Sequence, residues 1–305
     1  MTEHLDSTRR EPNPPILAAV DGSAASYKAA TWAATDAALH GCGLHLVTSV
    51  SVPAGYGPGA MLTGTDTDWL QVEGERIVTE ATRIARAAMP GAEPPVTTEV
   101  SWSPVIPDLI ERSRRVRMLA LGSSGAGALR RGLVGSVTSA MVRHAHCPVA
   151  VIHYEQAADP MEVIQPVVVG VDGSPNSVPA LVAAFEEASL RKVGLTAVHA
   201  WADTAVSYLS MDWENAMREN EDMVLAESMA GWSERYPEVP VRRVVVRDRP
   251  VRALLEEAHG AQLVVVGSHG RGGFTGMLLG ATSNALVHSV ECPILVVRQS
   301  AADQE

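Results

Sequence analysis

The sequence predicts an α/β protein made of two tandem, doubly wound domains, each a five-stranded parallel sheet with helices on both faces. Three observations carry that prediction. The chain repeats itself: Val20-Asp21-Gly22-Ser23 recurs 151 residues on as Val171-Asp172-Gly173-Ser174, while Gly122-Ser-Ser-Gly125 and Cys147-Pro148 recur 145 residues on as Gly267-Ser-His-Gly270 and Cys292-Pro293. Each half alternates short apolar runs with helical stretches, the pattern of βαβ units. The runs themselves, such as Leu263-Val-Val-Val266, are continuously Val/Ile/Leu, as strands buried on both faces require.

A period this long is a domain duplication, and the six-residue difference between the two shifts marks a length change in a middle loop. Residues 1–15 are polar and carry Pro12, Pro14 and Pro15, so they read as a disordered leader. Domain 1 spans 16–153, a linker with Pro160 occupies 154–165, domain 2 spans 166–298, and 299–305 form a tail.

In the first half, Ile16–Val20 is the opening strand, and Ala24–His40 is an alanine-rich helix that Ser23 caps and Gly41 closes. Leu44–Val50 follows as a strand, then a Gly/Pro-rich loop over 53–64 and a long helix over 68–89. Strand Val96–Ser101, a short helix over 108–114, strand Met118–Leu121, helix Ser136–His144 and strand Val149–His153 complete the domain. The second half repeats the order, with strands at Val167–Val171, Leu195–Ala200, Val241–Val246, Leu263–Val266 and Ile294–Val297. Right-handed crossovers make each half doubly wound.

Composition narrows the function. Hydrophobic residues make up 46% and charged ones 19%, as in folded soluble domains. A formal charge of -11 repels phosphate backbones and anionic membranes, which argues against a nucleic acid partner. The leader holds no apolar run that would form a membrane span. Three cysteines without a C-x-x-C pair suggest neither a disulfide framework nor zinc, and fit a reducing cytoplasm.

The chemistry gathers in the glycine loops. Gly122-x-x-Gly125, nine residues and Gly135-Ser136 follow the fourth strand; Gly267-x-x-Gly270, nine residues and Gly280-Ala281 repeat the arrangement. Glycine allows the backbone to approach a ligand closely, and each loop leads into a helix whose first N–H groups favour an anion, so a phosphate is expected there. Asp21 and Asp172 follow the first strand of each half. With Ser23 and Ser174 placed to cap, those carboxylates are left to accept hydrogen bonds from a nucleoside. If the first and fourth strands are neighbours, aspartate and loop share the crevice at the switch point where open α/β sheets bind ligands.

A Walker loop is excluded because neither glycine loop holds a lysine; Lys28 and Lys192 are the only two, both in apparent helices. The dinucleotide fingerprint is missing after the first strand. Arg130, Arg131 and Arg271 lie within the loops and are candidates to neutralise phosphate. His269 shapes a turn, and His144 with His146 read as structural rather than metal-binding.

The V-D-G-S sequence after the first strand, with G-2x-G-9x-G-[S/T] after the fourth, resembles the tandem, ATP-binding class of the universal stress protein family over about residues 16–298. The resemblance implies a strand order of 3-2-1-4-5 and a site for ATP with Mg2+. By position it implies that Asp21 and Asp172 meet the nucleoside, with Ala19 and Gly170 close beside them. The backbone at Ser49 and Ala200 would meet adenine, and Gly122, Gly125, Gly135 and Ser136, with Gly267, Gly270 and Gly280, would hold ribose and phosphates. Ala281 stands where the pattern asks for Ser or Thr; Thr282 and Ser283 are the candidates to compensate, and the second site is expected to be the weaker. The resemblance also implies that Val149–His153 pairs with Ile294–Val297, that tandem chains form a homodimer, and that the protein is a sensor or regulator in a stress or growth-arrest response, at most a slow ATPase. The protein partners are unknown. A nucleotide-free scaffold and an adenylating enzyme remain as alternatives, though the S-G-G-x-D-S loop of the latter is missing.

Overall fold

The computed structural model describes residues 13–50, 64–89, 91, 94–125, 134–153, 165–201, 211–271 and 278–298. Most of the leader, the loop before residue 64, nearly all of the linker, the tail, and Arg130 and Arg131 lie outside the described residues.

The first half runs β1 (Ile16–Ala19), α1 (Ala24–Leu39), β2 (Leu44–Ser49), α2 (Gly64–Ala87), β3 (Val96–Ser101), α3 (Val105–Arg112), β4 (Met118–Gly122), α4 (Ser136–His144) and β5 (Val149–Ile152). The second runs β6 (Val167–Gly170), α5 (Val178–Arg191), β7 (Leu195–Ala200), α6 (Met211–Ser228), α7 (Trp232–Arg235), β8 (Val241–Val246), α8 (Pro250–Ala258), β9 (Leu263–Gly267), α9 (Ala281–Ser289) and β10 (Ile294–Val297). β2 and β7 are offset by 151 residues and β3 and β8 by 145, so the length change lies between the second and third strands of each half.

All ten strands join one sheet in the order β3-β2-β1-β4-β5-β10-β9-β6-β7-β8, which is 3-2-1-4-5 in each half. Pairing is parallel within each half; β5 and β10 meet antiparallel, Ala150 opposite Leu295. Two apolar layers clothe the sheet. One holds the alanine face of α1 and its counterpart on α5, the other the residues under α4, α8 and α9. Alternation sends Leu17 to one layer and Ile16 and Ala18 to the other, so β1 is buried on both faces, as its unbroken apolar run requires. The outer strands carry the polarity: Thr97, Thr98 and Glu99 on β3, and Arg242 and Arg243 on β8, are exposed. Charged, polar edges discourage further strand pairing.

Two local expectations need correction. Ser23 caps α1, accepting from the Ser26 N–H at 3.2 Å. Ser174 does not cap: its hydroxyl donates to Asp172 Oδ1 at 2.7 Å, and a 3-10 turn, Pro175–Ser177, precedes α5. Lys192 is not inside a helix either. It ends α5 in the left-handed region at φ 57°, where the first copy has Gly41 at φ 59°.

Candidate functional site

β1 and β4, and likewise β6 and β9, are neighbours, so their carboxyl ends meet at the point where the strand order reverses. There the aspartate and the glycine loop come together in both halves. A Cβ added to Gly125 would lie 2.5 Å from Asp21 Oδ2, and one added to Gly270 would lie 2.7 Å from Asp172 Oδ2. Any side chain at these positions would displace the carboxylate, which is why only glycine fits. Their φ values are not positive; the left-handed residues are Gly22 and Gly173, at 81° and 76°, which turn the chain sharply after the aspartates. Close approach, not backbone freedom, accounts for the loop glycines.

Both aspartates already accept hydrogen bonds within the protein. Asp21 Oδ1 accepts the Ser23 N–H at 3.0 Å. Asp172 Oδ1 accepts from both the N–H and the hydroxyl of Ser174, and its Oδ2 accepts the Arg271 N–H at 2.6 Å. The carboxylate therefore ties the turn after β6 to the loop after β9, and it lines the cleft at the same time.

That cleft has a volume of about 410 Å³. Small-molecule sites span roughly 300–1,000 Å³. Every residue named from the sequence for the second half lines it: Gly170, Asp172, Ala200, Gly267, Gly270, Gly280, Ala281 and Thr282. One end is apolar, with Val198, Ala200, Pro250 and Leu254. The other is formed by the glycine loop, Arg271 and the start of α9. Gly280 precedes α9 without a side-chain cap, as Gly135 precedes α4, and the first intrahelical bonds are Asn284 to Gly280 and Ser139 to Gly135. The backbone N–H groups of Ala281, Thr282 and Ser283, and of Ser136, Val137 and Thr138, therefore have no helical acceptor.

In the first half, Ala19, Asp21, Ser49, Gly122, Gly125, Gly135 and Ser136 fall at the carboxyl ends of β1, β2 and β4 and at the start of α4. Gly122 and Gly267 serve packing: a Cβ on Gly122 would sit 2.8 Å from the backbone of Ala25 in α1, and one on Gly267 3.0 Å from the Asn176 carbonyl. Ser49 gives its hydroxyl to the Ser103 carbonyl at 2.8 Å.

Three features escaped sequence reasoning. Thr138 donates to the Gly122 carbonyl at 2.7 Å, and Ser283 donates to the Gly267 carbonyl at 2.6 Å, each clamping a helix start onto a strand end. Ser283 is thus committed to the scaffold, leaving Thr282 as the hydroxyl beside Ala281. His199, fully buried, hydrogen-bonds the Val171 carbonyl through Nδ1 and faces Glu221 through Nε2, both at 2.7 Å; Arg271 approaches Glu221 at 3.7 Å. The first copy has Thr48 in its place, and comparing the two copies residue by residue would have exposed that asymmetry. Among the described residues, His144 and His146 belong to no three-residue donor group.

The model of the universal stress protein family matches residues 13–153 and 164–298. A universal stress protein of Mycobacterium tuberculosis is 49% identical over 288 residues, covering 93% of this chain and 97% of its own length. A second from the same organism is 41% identical over 287 residues, covering 93% and 96%. Among solved structures, a universal stress protein from Archaeoglobus fulgidus superposes with a TM-score of 0.67 at 20% identity, covering 95% of this chain and 97% of its own, which speaks for the fold.

Proposed function

The chain belongs to the universal stress protein family, and from that premise we propose that it binds ATP in its switch-point clefts and acts as a nucleotide-dependent regulator in a stress or growth-arrest response. The observation that carries the reading is the convergence, in both halves, of an aspartate and a glycine collar at the carboxyl end of the sheet.

The residues present fit the nucleotide. The apolar end formed by Val198, Ala200, Pro250 and Leu254 suits a purine base. The uncapped start of α9, with the Gly267–Gly270 turn, supplies N–H donors and a helix dipole for phosphate oxygens. Asp172 faces the cleft between them, where it meets a ribose hydroxyl while holding the collar in place. Arg271 offers the cation that a lysine gives elsewhere, and Mg2+ would accompany the phosphates. In the first half the same roles fall to Asp21, Gly125, Gly135 and Ser136, with Ser49 at the adenine end. Neither glycine loop holds a lysine, so binding rather than fast turnover is the expected output.

Titration with a fluorescent ATP analogue tests this. Asp172→Ala together with Asp21→Ala removes both tethers and is expected to weaken binding about tenfold or more, one to two hydrogen bonds at about 0.5–1.5 kcal/mol each plus the loosened collar. Unchanged affinity in the double variant would refute the assignment of these carboxylates.

A further inference from the structure

The two halves also meet away from the nucleotide clefts, through α1 and α5, and there the duplication has produced a cluster that ATP binding does not use. Asp36 and Glu187 are equivalent positions in the repeat, as are His40 and Arg191. The four side chains interlock across the junction. Arg191 bonds Asp36 Oδ1 and reaches Glu187 Oε2 at 2.9 Å, with its guanidinium stacked 5.6 Å from the centre of the Trp32 ring. His40 Nε2 lies 2.9 Å from Glu187 Oε1 and 3.7 Å from Asp36 Oδ2.

Each carboxylate therefore spends one oxygen on Arg191 and turns the other toward His40 Nε2. One donor atom from each of Asp36, His40 and Glu187 lies within 4.8 Å of the other two. Asp36 is 0% exposed and its Oδ2 has no hydrogen-bond partner. A proton on Nε2 does not repair this: it is a single directional donor already aimed at Glu187, and 3.7 Å is too far for a hydrogen bond to Oδ2. A metal ion bonds several donors at once and satisfies both oxygens together with the ring nitrogen.

From this geometry we propose that His40, Asp36 and Glu187 form a site for one divalent cation of the zinc type, which fastens the two halves to each other. One imidazole with two carboxylates is a donor set such ions accept, with bonds of about 2.1 Å and hence donor separations near 3.4 Å in a tetrahedron. The observed 2.9 and 3.7 Å from His40 Nε2 to the two carboxylates bracket that figure. The fourth position goes to water. Arg191 orients both carboxylates, and Glu186 lies 3.6 Å from the other ring nitrogen, Nδ1, beyond hydrogen-bond reach but near enough to add negative charge beside the site. Glu186 is 42% exposed and marks the solvent side of the cluster. The duplication accounts for the asymmetry: one copy keeps a permanent cation, Arg191, and the other supplies a ligand, His40.

Chelator-stripped, nucleotide-free full-length chain titrated with Zn2+ by calorimetry tests the site independently of ATP binding. One equivalent per chain is expected, with a rise in melting temperature. Asp36→Asn and His40→Gln are each expected to weaken binding at least tenfold, and Glu186→Gln by a smaller factor. Histidine-selective NMR of the wild-type chain, which does not depend on any variant folding, is expected to show the His40 Nε2 resonance shifting with the first equivalent. Absence of stoichiometric Zn2+ binding, binding undiminished in His40→Gln, or a His40 ring unmoved at saturation would each overturn the proposal.

Discussion

Asp172 does two things with one carboxylate. Its oxygens hold the Ser174 turn and the Arg271 amide, and the same group faces the cleft. The pairing of this aspartate with a distant glycine collar was legible from two short motifs, because the switch-point rule places them together whatever the intervening sequence. The roles of Ser283 and Thr138 were not legible, since a hydroxyl three residues into a helix looks like any surface serine until the carbonyl it meets is known. With Ser283 engaged at Gly267, Ala281 leaves the second cleft without the hydroxyl that Ser136 offers at the equivalent position of the first half. Ala281→Ser is expected to tighten nucleotide binding at that cleft by about two- to tenfold, the range of one added hydrogen bond. Calorimetry on a chain whose first cleft is disabled by Asp21→Ala checks it.

The ends of two elements carry predictions of their own. α5 closes on Lys192 at φ 57°, a left-handed conformation that strains a side-chain-bearing residue by about 1–2 kcal/mol. Lys192→Gly restores what Gly41 does for α1 and is expected to stabilise the protein by about 0.5–1 kcal/mol after the entropy of glycine is counted, read from urea denaturation. Directly after β5 comes His153, whose ring is pushed down to about 4, chiefly by burial and secondarily by His288, and whose Nε2 is buried without a partner. The folded state thus binds fewer protons than the unfolded chain between pH 6.5 and 4. Stability is fully present above 6.5 and is lost as pH falls through that window, by at most about 3 kcal/mol. His153→Leu is expected to flatten that part of the stability profile, which thermal melts across the pH range will show. Element existence and order were readable because the central strands, such as β1, β6 and β9, are continuous apolar runs and the motifs repeat in both halves. The beginning of α2 was not, because the Thr- and Asp-rich stretch from Thr63 to Asp68 offers several capping residues in succession and so does not single out the first turn.

At the scale of the whole molecule, two copies of one domain fuse edge to edge, and the antiparallel meeting of β5 with β10 turns two five-stranded sheets into one of ten. That pairing aligns α1 with α5 and so brings Asp36, His40, Glu187 and Arg191 together. Nothing in the sequence announces the cluster, since its members are separated by about half the chain and gain meaning only through the docking of the halves. The residues proposed to form the clefts, by contrast, are local to each half and carry short motifs visible in the sequence. The account stands on those clefts accepting a nucleotide, and calorimetric titration of the intact chain with ATP and Mg2+ tests that most directly. Saturable heat with up to two nucleotides per chain, the first-half cleft the tighter, is the predicted result. No heat at millimolar ATP, from protein shown to be folded and nucleotide-free, would contradict it.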